Sequence, residues 1–197
     1  MIPANRFIIR QTEYEGWLEA RRHGVSATAV AAAATPSGFR DVVSTWGQSI
    51  DDNPMMAFGR EAEPELMRHA HREYGILASD WLIAGENPRH LATPDGLSLD
   101  HTEIAECKTT GDGWDGAETN PKKLPIRYRR QVQYQLMVTG AERCLFLWQL
   151  RVPDDHGWFY MPWLQPKTVW IDRDPDMIRD LTEVADRLFE EAVNGTV

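Results

Sequence analysis

The chain has 197 residues, 42% hydrophobic and 26% charged, the balance of a globular protein that can build a core without disulfides or a structural metal. Its net charge of −9 excludes a protein that coats nucleic acid through bulk positive charge. No apolar run approaches the length that crosses a bilayer and nothing reads as a signal peptide, so a cytoplasmic protein with no membrane partner is expected.

Residues 13–23 read as a first helix with Trp17 and Leu18 on its apolar side, and Ser26 as the N-cap of an alanine-rich second helix. Residues 35–53 read as turn-rich, apart from an apolar stretch around Val42, Val43 and Trp46. A long helix is expected from Pro54 to Tyr74, then strands at Ile76–Ile83, His90–Thr93, Leu97–Leu99 and Glu103–Thr109. Residues 111–125 read as a loop with an exposed Trp114, followed by a helix from Ile126 to Val138 that stops at Gly140. Strands at Arg143–Arg151, Trp158–Trp163 and Thr168–Ile171 precede a closing amphipathic helix from Pro175 to Val193. No repeat or low-complexity linker interrupts the chain, so one domain over residues 1–197 is expected, an α/β fold with a mixed central sheet flanked by helices.

The cysteines Cys107 and Cys144 lie far apart in apolar strand-like runs, which excludes a zinc or iron–sulfur cluster supplied by one chain and fits buried thiols. Chemistry gathers instead around Pro94-Asp95-Gly96 and Glu106-Cys107-Lys108. Glu106 and Lys108 are two apart on a strand, so they share a face while Cys107 points to the other. Asp95, at the turn before, can meet Glu106 across the hairpin. Two carboxylates can hold a hard divalent cation, and an ammonium beside them can orient or activate water. Taken singly, Asp95 is an ordinary turn residue, and Glu106 with Lys108 also satisfies a buried salt bridge. The segment 122–130, with Lys122, Lys123, Arg127, Arg129 and Arg130, is a local basic patch on an acidic chain. A solvated helix start explains that patch equally well on charge alone. Gln131 and Gln135, at i,i+4 on the following helix, are consistent with a polar surface stripe.

Pro94-Asp95 followed by Glu106-Cys107-Lys108 resembles the PD-(D/E)xK nuclease signature, whose restriction-endonuclease-like core is the fold this implies. Trp17 to Arg21 with Gly24-Val25-Ser26-Ala27-Thr28, then Gly59 to Pro64, then Tyr128 to Leu136 resemble, in order, the motifs of the YqaJ-like viral recombinase family, to which phage lambda exonuclease belongs. The resemblance runs from about residue 17 to about residue 140. It implies that Asp95 and Glu106 bind Mg²⁺ or Mn²⁺ with the backbone carbonyl of Cys107, and that Glu63 adds an outer carboxylate. Lys108 would position or deprotonate the attacking water with help from Gln131. Arg21, Ser26 and Thr28 match positions that hold the phosphate at the strand end, and Tyr128 would lie beside the scissile phosphate, with Arg127 and Arg130 as further DNA contacts.

The expected activity is that of a Mg²⁺-dependent exonuclease of a phage or prophage recombination system, digesting linear duplex DNA from the 5′ end to leave 3′ overhangs. Expected partners are duplex DNA ends, a single-strand annealing protein and two further copies in a ring-shaped homotrimer. A RecB-like or restriction-type endonuclease and an inactive DNA-end binding protein are the alternatives.

Overall fold

The computed structural model describes residues 1–48 and 52–193. A strand that the sequence reading lacks, β1 (Phe7–Arg10), leads into α1 (Tyr14–Arg22), which buries Trp17. After β2 (Val25–Ser26), the Ser26 hydroxyl caps α2 (Ala27–Ala33) by accepting from the Ala29 amide at 3.4 Å. Residues 36–44 depart from expectation by forming a helix, α3 (Pro36–Ser44). Pro36 stands at its first turn, Thr35 caps it by accepting from the Gly38 amide at 3.1 Å, and Phe39 anchors it in the core. The Pro-Ser-Gly run that reads as a turn is therefore a helix start. The part of the turn-rich expectation covering residues 49–51 lies outside the described residues.

The long helix α4 (Pro54–Tyr74) runs between the expected limits, with Asn53 accepting from the Met56 amide at 3.0 Å. Residues 76–83 are not one strand. β3 (Leu77–Ala78) and β4 (Trp81–Ala84) join different sheets, because the chain between them is claimed from two sides. The Ser79 amide donates to the Asp95 carbonyl at 2.8 Å, while the Asp80 carbonyl accepts from the Gln11 amide at 2.7 Å. Next come β5 (His90–Ala92), β6 (Gly96–Leu97) and β7 (Glu103–Thr110). The helix α5 (Ile126–Thr139) ends at Gly140, whose φ of 78° a side-chain-bearing residue adopts only at a cost. β8 (Arg143–Leu150) is long, but the expected strand at 158–163 shrinks to β10 (Phe159–Tyr160), paired in a small hairpin with β9 (Val152–Pro153). β11 (Lys167–Asp172) and α6 (Pro175–Leu188) close the fold, the last helix widening into a π turn at Phe189–Val193.

Among the described residues, a five-stranded sheet runs β11-β8-β7-β6-β3, mixed because β7 and β8 are parallel and the other neighbours antiparallel. A four-stranded sheet runs β1-β4-β5-β2. The parallel β7–β8 pair is joined by α5, and side chains alternate across it. Ala105, Cys107, Leu145 and Leu147 pack with Leu66, Met67 and Ala70 of α4 on one face. Ile104, Cys144, Phe146 and Trp148 join the main core with Val132, Leu136 and α6 on the other. Both cysteines are buried thiols, as expected. Trp114 is not exposed. It takes a left-handed φ of 49° and packs its ring against Tyr128, Phe146 and Trp148 at centroid distances of 5.3–6.1 Å. This is the expected α/β layering, helices on both faces of a mixed sheet. Among the described residues no helix is long and apolar enough to cross a membrane.

Candidate active site

Alternation along β7 places its motif on two faces at once. Cys107 turns toward α4, while Glu106 and Lys108 turn toward α5. At the end of the strand the two faces meet in a cavity of about 550 Å³, lined by Glu63 from α4, Asp95, Cys107 and Lys108, Arg127 and Tyr128 from α5, and Arg151. The Cys107 amide donates to Asp95 Oδ2 at 2.6 Å and so locks the turn carboxylate against the strand. Gly96 follows that turn as the first residue of β6. A Cβ there would stand 2.5 Å from Met67 Cε and 2.9 Å from Ile76 Cγ2, so only glycine lets β6 lie this close to α4.

Glu106 is 2% exposed, which without partners would be prohibitive for a carboxylate. Lys108 Nζ and Gln131 Nε2 donate to its Oε1, the latter at 2.6 Å, and Gln135 Nε2 donates to Oε2 at 2.7 Å. Burial works against the Lys108 charge, but Glu106 and Asp95 outweigh it and carry its pKa above the usual lysine value. Lys108 is therefore a cation and a hydrogen donor at neutral pH. Asp95 is held well above the usual carboxylate range, first by burial and then by the Glu106 charge. Glu63 is raised for the same two reasons, and it makes no hydrogen bond or ion pair to another described residue.

Among the described residues, no three His, Cys, Asp or Glu side chains already converge as a ligand cluster. The donor set still fits a hard cation. Asp95 and Glu63 both line the cavity, neither is ion-paired among the described residues, and each is disfavoured as an anion by burial and then by Glu106, so a divalent ion there would relieve both.

The other candidates divide into groups. Tyr128 packs its ring on Trp114 and Phe146, and Lys108 Nζ lies 5.9 Å from its centroid. Arg127 stacks on Tyr128 and donates to its hydroxyl at 2.8 Å. Arg21, Ser26 and Thr28 belong to α1 and the start of α2 and do not line the cavity. Arg21 stacks on Trp17 with 4.4 Å to the ring centroid, donates to Ser26 Oγ at 3.2 Å and has no carboxylate partner among the described residues. Burial lowers its pKa from the usual guanidinium value. Thr28 is exposed. Arg130 stands one turn before the buried Tyr134 and also lies away from the cavity. Glu103, at the start of β7, is half-buried and paired with Arg143 at 2.9 Å.

Two members of the site escape sequence reasoning. Gln135 is buried on Glu106, although the i,i+4 glutamine pair was legible as a polar stripe. Arg151 donates to the Thr109 carbonyl at 2.7 Å and to Met55 Sδ at 3.0 Å, and its only signal is its place just past an apolar strand.

A YqaJ-like viral recombinase domain model matches residues 16–142, well over half of the chain. The chain belongs to that family. Its motifs at Arg21, Glu63, Asp95, Lys108 and Gln131 all fall inside the matched span. No curated protein matches the chain. Among solved structures it is similar to an alkaline exonuclease, LHK-Exo, from Laribacter hongkongensis, at 24% identity and a TM-score of 0.70 over 92% of this chain and 93% of that one. The same protein in complex with dAMP gives 26% identity and a TM-score of 0.69, with the same coverage. A phage related exonuclease from Haemophilus somnus 129PT shares the fold at 15% identity and a TM-score of 0.68, over 87% of this chain and 94% of that one. The fold of this YqaJ-family chain is thus of the PD-(D/E)xK exonuclease type, a mixed sheet flanked by helices.

Proposed function

We propose that this chain is a metal-dependent DNA exonuclease of phage recombination type, acting on linear duplex from the 5′ end and leaving 3′ overhangs. The observation that carries the reading is a cavity lined by Glu63, Asp95 and Lys108, with Lys108 and Gln131 both donating to the buried Glu106. A structural salt bridge needs no cavity, no second carboxylate and no unpaired Glu63.

In this reading Asp95, Glu106 and the Cys107 carbonyl hold Mg²⁺ or Mn²⁺, with Glu63 as an outer ligand. The bound ion would supply Lewis-acid stabilisation of charge on the phosphoryl oxygens. Lys108, cationic and tied to Glu106, donates to the incoming water and orients it toward phosphorus. Gln131 keeps Glu106 and Lys108 in register. Arg127 and Arg151, neither ion-paired among the described residues, sit where phosphates on either side of the scissile bond would be held, with Tyr128 alongside. Arg21, without a carboxylate partner among the described residues, would take the terminal phosphate with Ser26 and Thr28, and Arg130 would add a backbone contact outside the cavity. The complex of LHK-Exo with dAMP is in keeping with a deoxynucleoside monophosphate as the product released here. A homotrimer encircling DNA would let an acidic chain stay on its substrate by topology, and a single-strand annealing protein would take over the 3′ overhang. The host-cell cytoplasm is the compartment this activity requires.

The test is digestion of linear and covalently closed circular duplex, with and without Mg²⁺. Loss of linear DNA in Mg²⁺ alone, with the circle untouched, is expected. Cutting of the circle would assign an endonuclease, and DNA binding without turnover would assign an end-binding protein.

A further inference from the structure

Gln135 lies one helical turn beyond Gln131 and is 1% exposed. The two amides treat Glu106 symmetrically, Gln131 donating to Oε1 at 2.6 Å and Gln135 to Oε2 at 2.7 Å. An ionised carboxylate only accepts hydrogen bonds, so the orientation of both amides follows from Glu106. The distribution is uneven. Oε1 also receives Lys108 and is therefore doubly occupied, whereas Oε2 receives Gln135 alone. A carboxylate offers about four acceptor positions, so the one left over is on Oε2.

Gln135 holds this place at the expense of its own acceptor. Its Oε1 is buried with no hydrogen-bond partner, an uncompensated desolvation that a leucine or methionine of similar volume would not incur. A side chain serving only the core would not leave a polar atom stranded. The benefit of the residue lies at Glu106.

We propose that Gln135 is a positioning residue which, paired with Gln131, fixes both oxygens of Glu106 and leaves one acceptor position on Oε2 for a hard cation. Gln131 and Lys108 hold only Oε1, which would leave Oε2 free to swing about the last torsion. The second amide removes that freedom and sets which oxygen faces the ion. The inference rests on the nuclease reading above and adds a residue to it.

The test compares the full chain with Gln135→Met and Gln135→Leu, two apolar variants of different shape. Each is titrated with Mn²⁺ alone, free Mn²⁺ being followed by its paramagnetic resonance signal, and then assayed for kcat and KM on linear duplex. Mn²⁺ affinity is expected to fall about 10–100-fold, the usual effect of losing a hydrogen bond behind a metal ligand. The same fall is expected in kcat, with KM for duplex ends unchanged. Native-like Mn²⁺ affinity and kcat in a folded variant would overturn the proposal, as would collapse of both variants, which would mark Gln135 as core. A native chain that neither binds Mn²⁺ nor cuts DNA would instead remove the nuclease reading itself, a result distinguishable from active, native-like variants.

Discussion

Lys108→Met separates what the lysine does for the fold from what it does for cleavage. The substitution leaves Glu106, 2% exposed, with only the neutral donors Gln131 and Gln135. Breaking a buried ion pair by removing one partner costs about 3–5 kcal/mol. The two retained amides, and a Lys108 side chain that is 25% exposed, place this case near the lower bound, at about 3 kcal/mol. For a chain of this size each kcal/mol shifts Tm by about 2–4 °C, so a fall of roughly 6–12 °C is expected. Adding Glu106→Gln to the same chain removes the stranded charge and should restore most of that loss, while both variants remain inactive. The Lys108 pKa is raised in the fold, so its contribution is fully present below the ordinary lysine value and is lost only as pH rises through the folded one. The gap between native and Lys108→Met should therefore stay constant between about pH 7 and 9. Urea and thermal unfolding of the three proteins give the numbers. A Lys108→Met variant as stable as the native chain, or a double variant no more stable than the single one, would refute the reasoning.

Other substitutions probe different parts of the account. Asp95→Asn keeps an acceptor for the Cys107 amide but removes a carboxylate disfavoured by burial and by Glu106. The raised Asp95 pKa means that stability is lost as pH climbs from the unfolded value through the folded one. At pH 7 without divalent ions this variant should therefore melt higher than the native chain, by about 2–4 °C for each kcal/mol relieved, and cut no DNA. Scanning calorimetry showing a lower melting point would contradict this. Phe39→Ala should cost about 3–5 kcal/mol in urea unfolding, because Phe39 is the residue that pins α3 to the core. Arg21→Ala should raise KM for 5′-phosphorylated ends about tenfold while barely changing it for unphosphorylated ends, the loss of one charge-assisted contact. Equal effects on both ends would remove Arg21 from that role.

Much of this fold was legible because its signals are local. Pro54 starts α4, Gly140 stops α5, and Ser26 caps α2 as sequence alone indicates. What stayed hidden depends on distant partners. Residues 76–83 look like one apolar strand, and only the opposing claims of Asp95 and Gln11 on Ser79 and Asp80 divide them between sheets. Pro36-Ser37-Gly38 carries turn residues, yet burial of Phe39 makes it a helix start. At the site, the spacing of Glu106 and Lys108 announces a shared face, and the structure puts them in contact. Gln135 is different in kind. A glutamine four residues after another reads as surface until a buried carboxylate is found opposite it. Arg151 is likewise visible as a site residue only once β8 brings it to the cavity that Lys108 lines.

The central claim is that Asp95, Glu106 and Lys108 hydrolyse one strand of a duplex from its 5′ end with a divalent ion. A time course on linear duplex labelled at either the 5′ or the 3′ terminus of one strand, with Mg²⁺, tests it most directly. The native chain should release the 5′ label first, as a mononucleotide, while the 3′ label stays on a steadily shortening strand, and EDTA should stop both. Early release of the 3′ label, internal fragments carrying either label, or digestion that continues in EDTA would contradict the account.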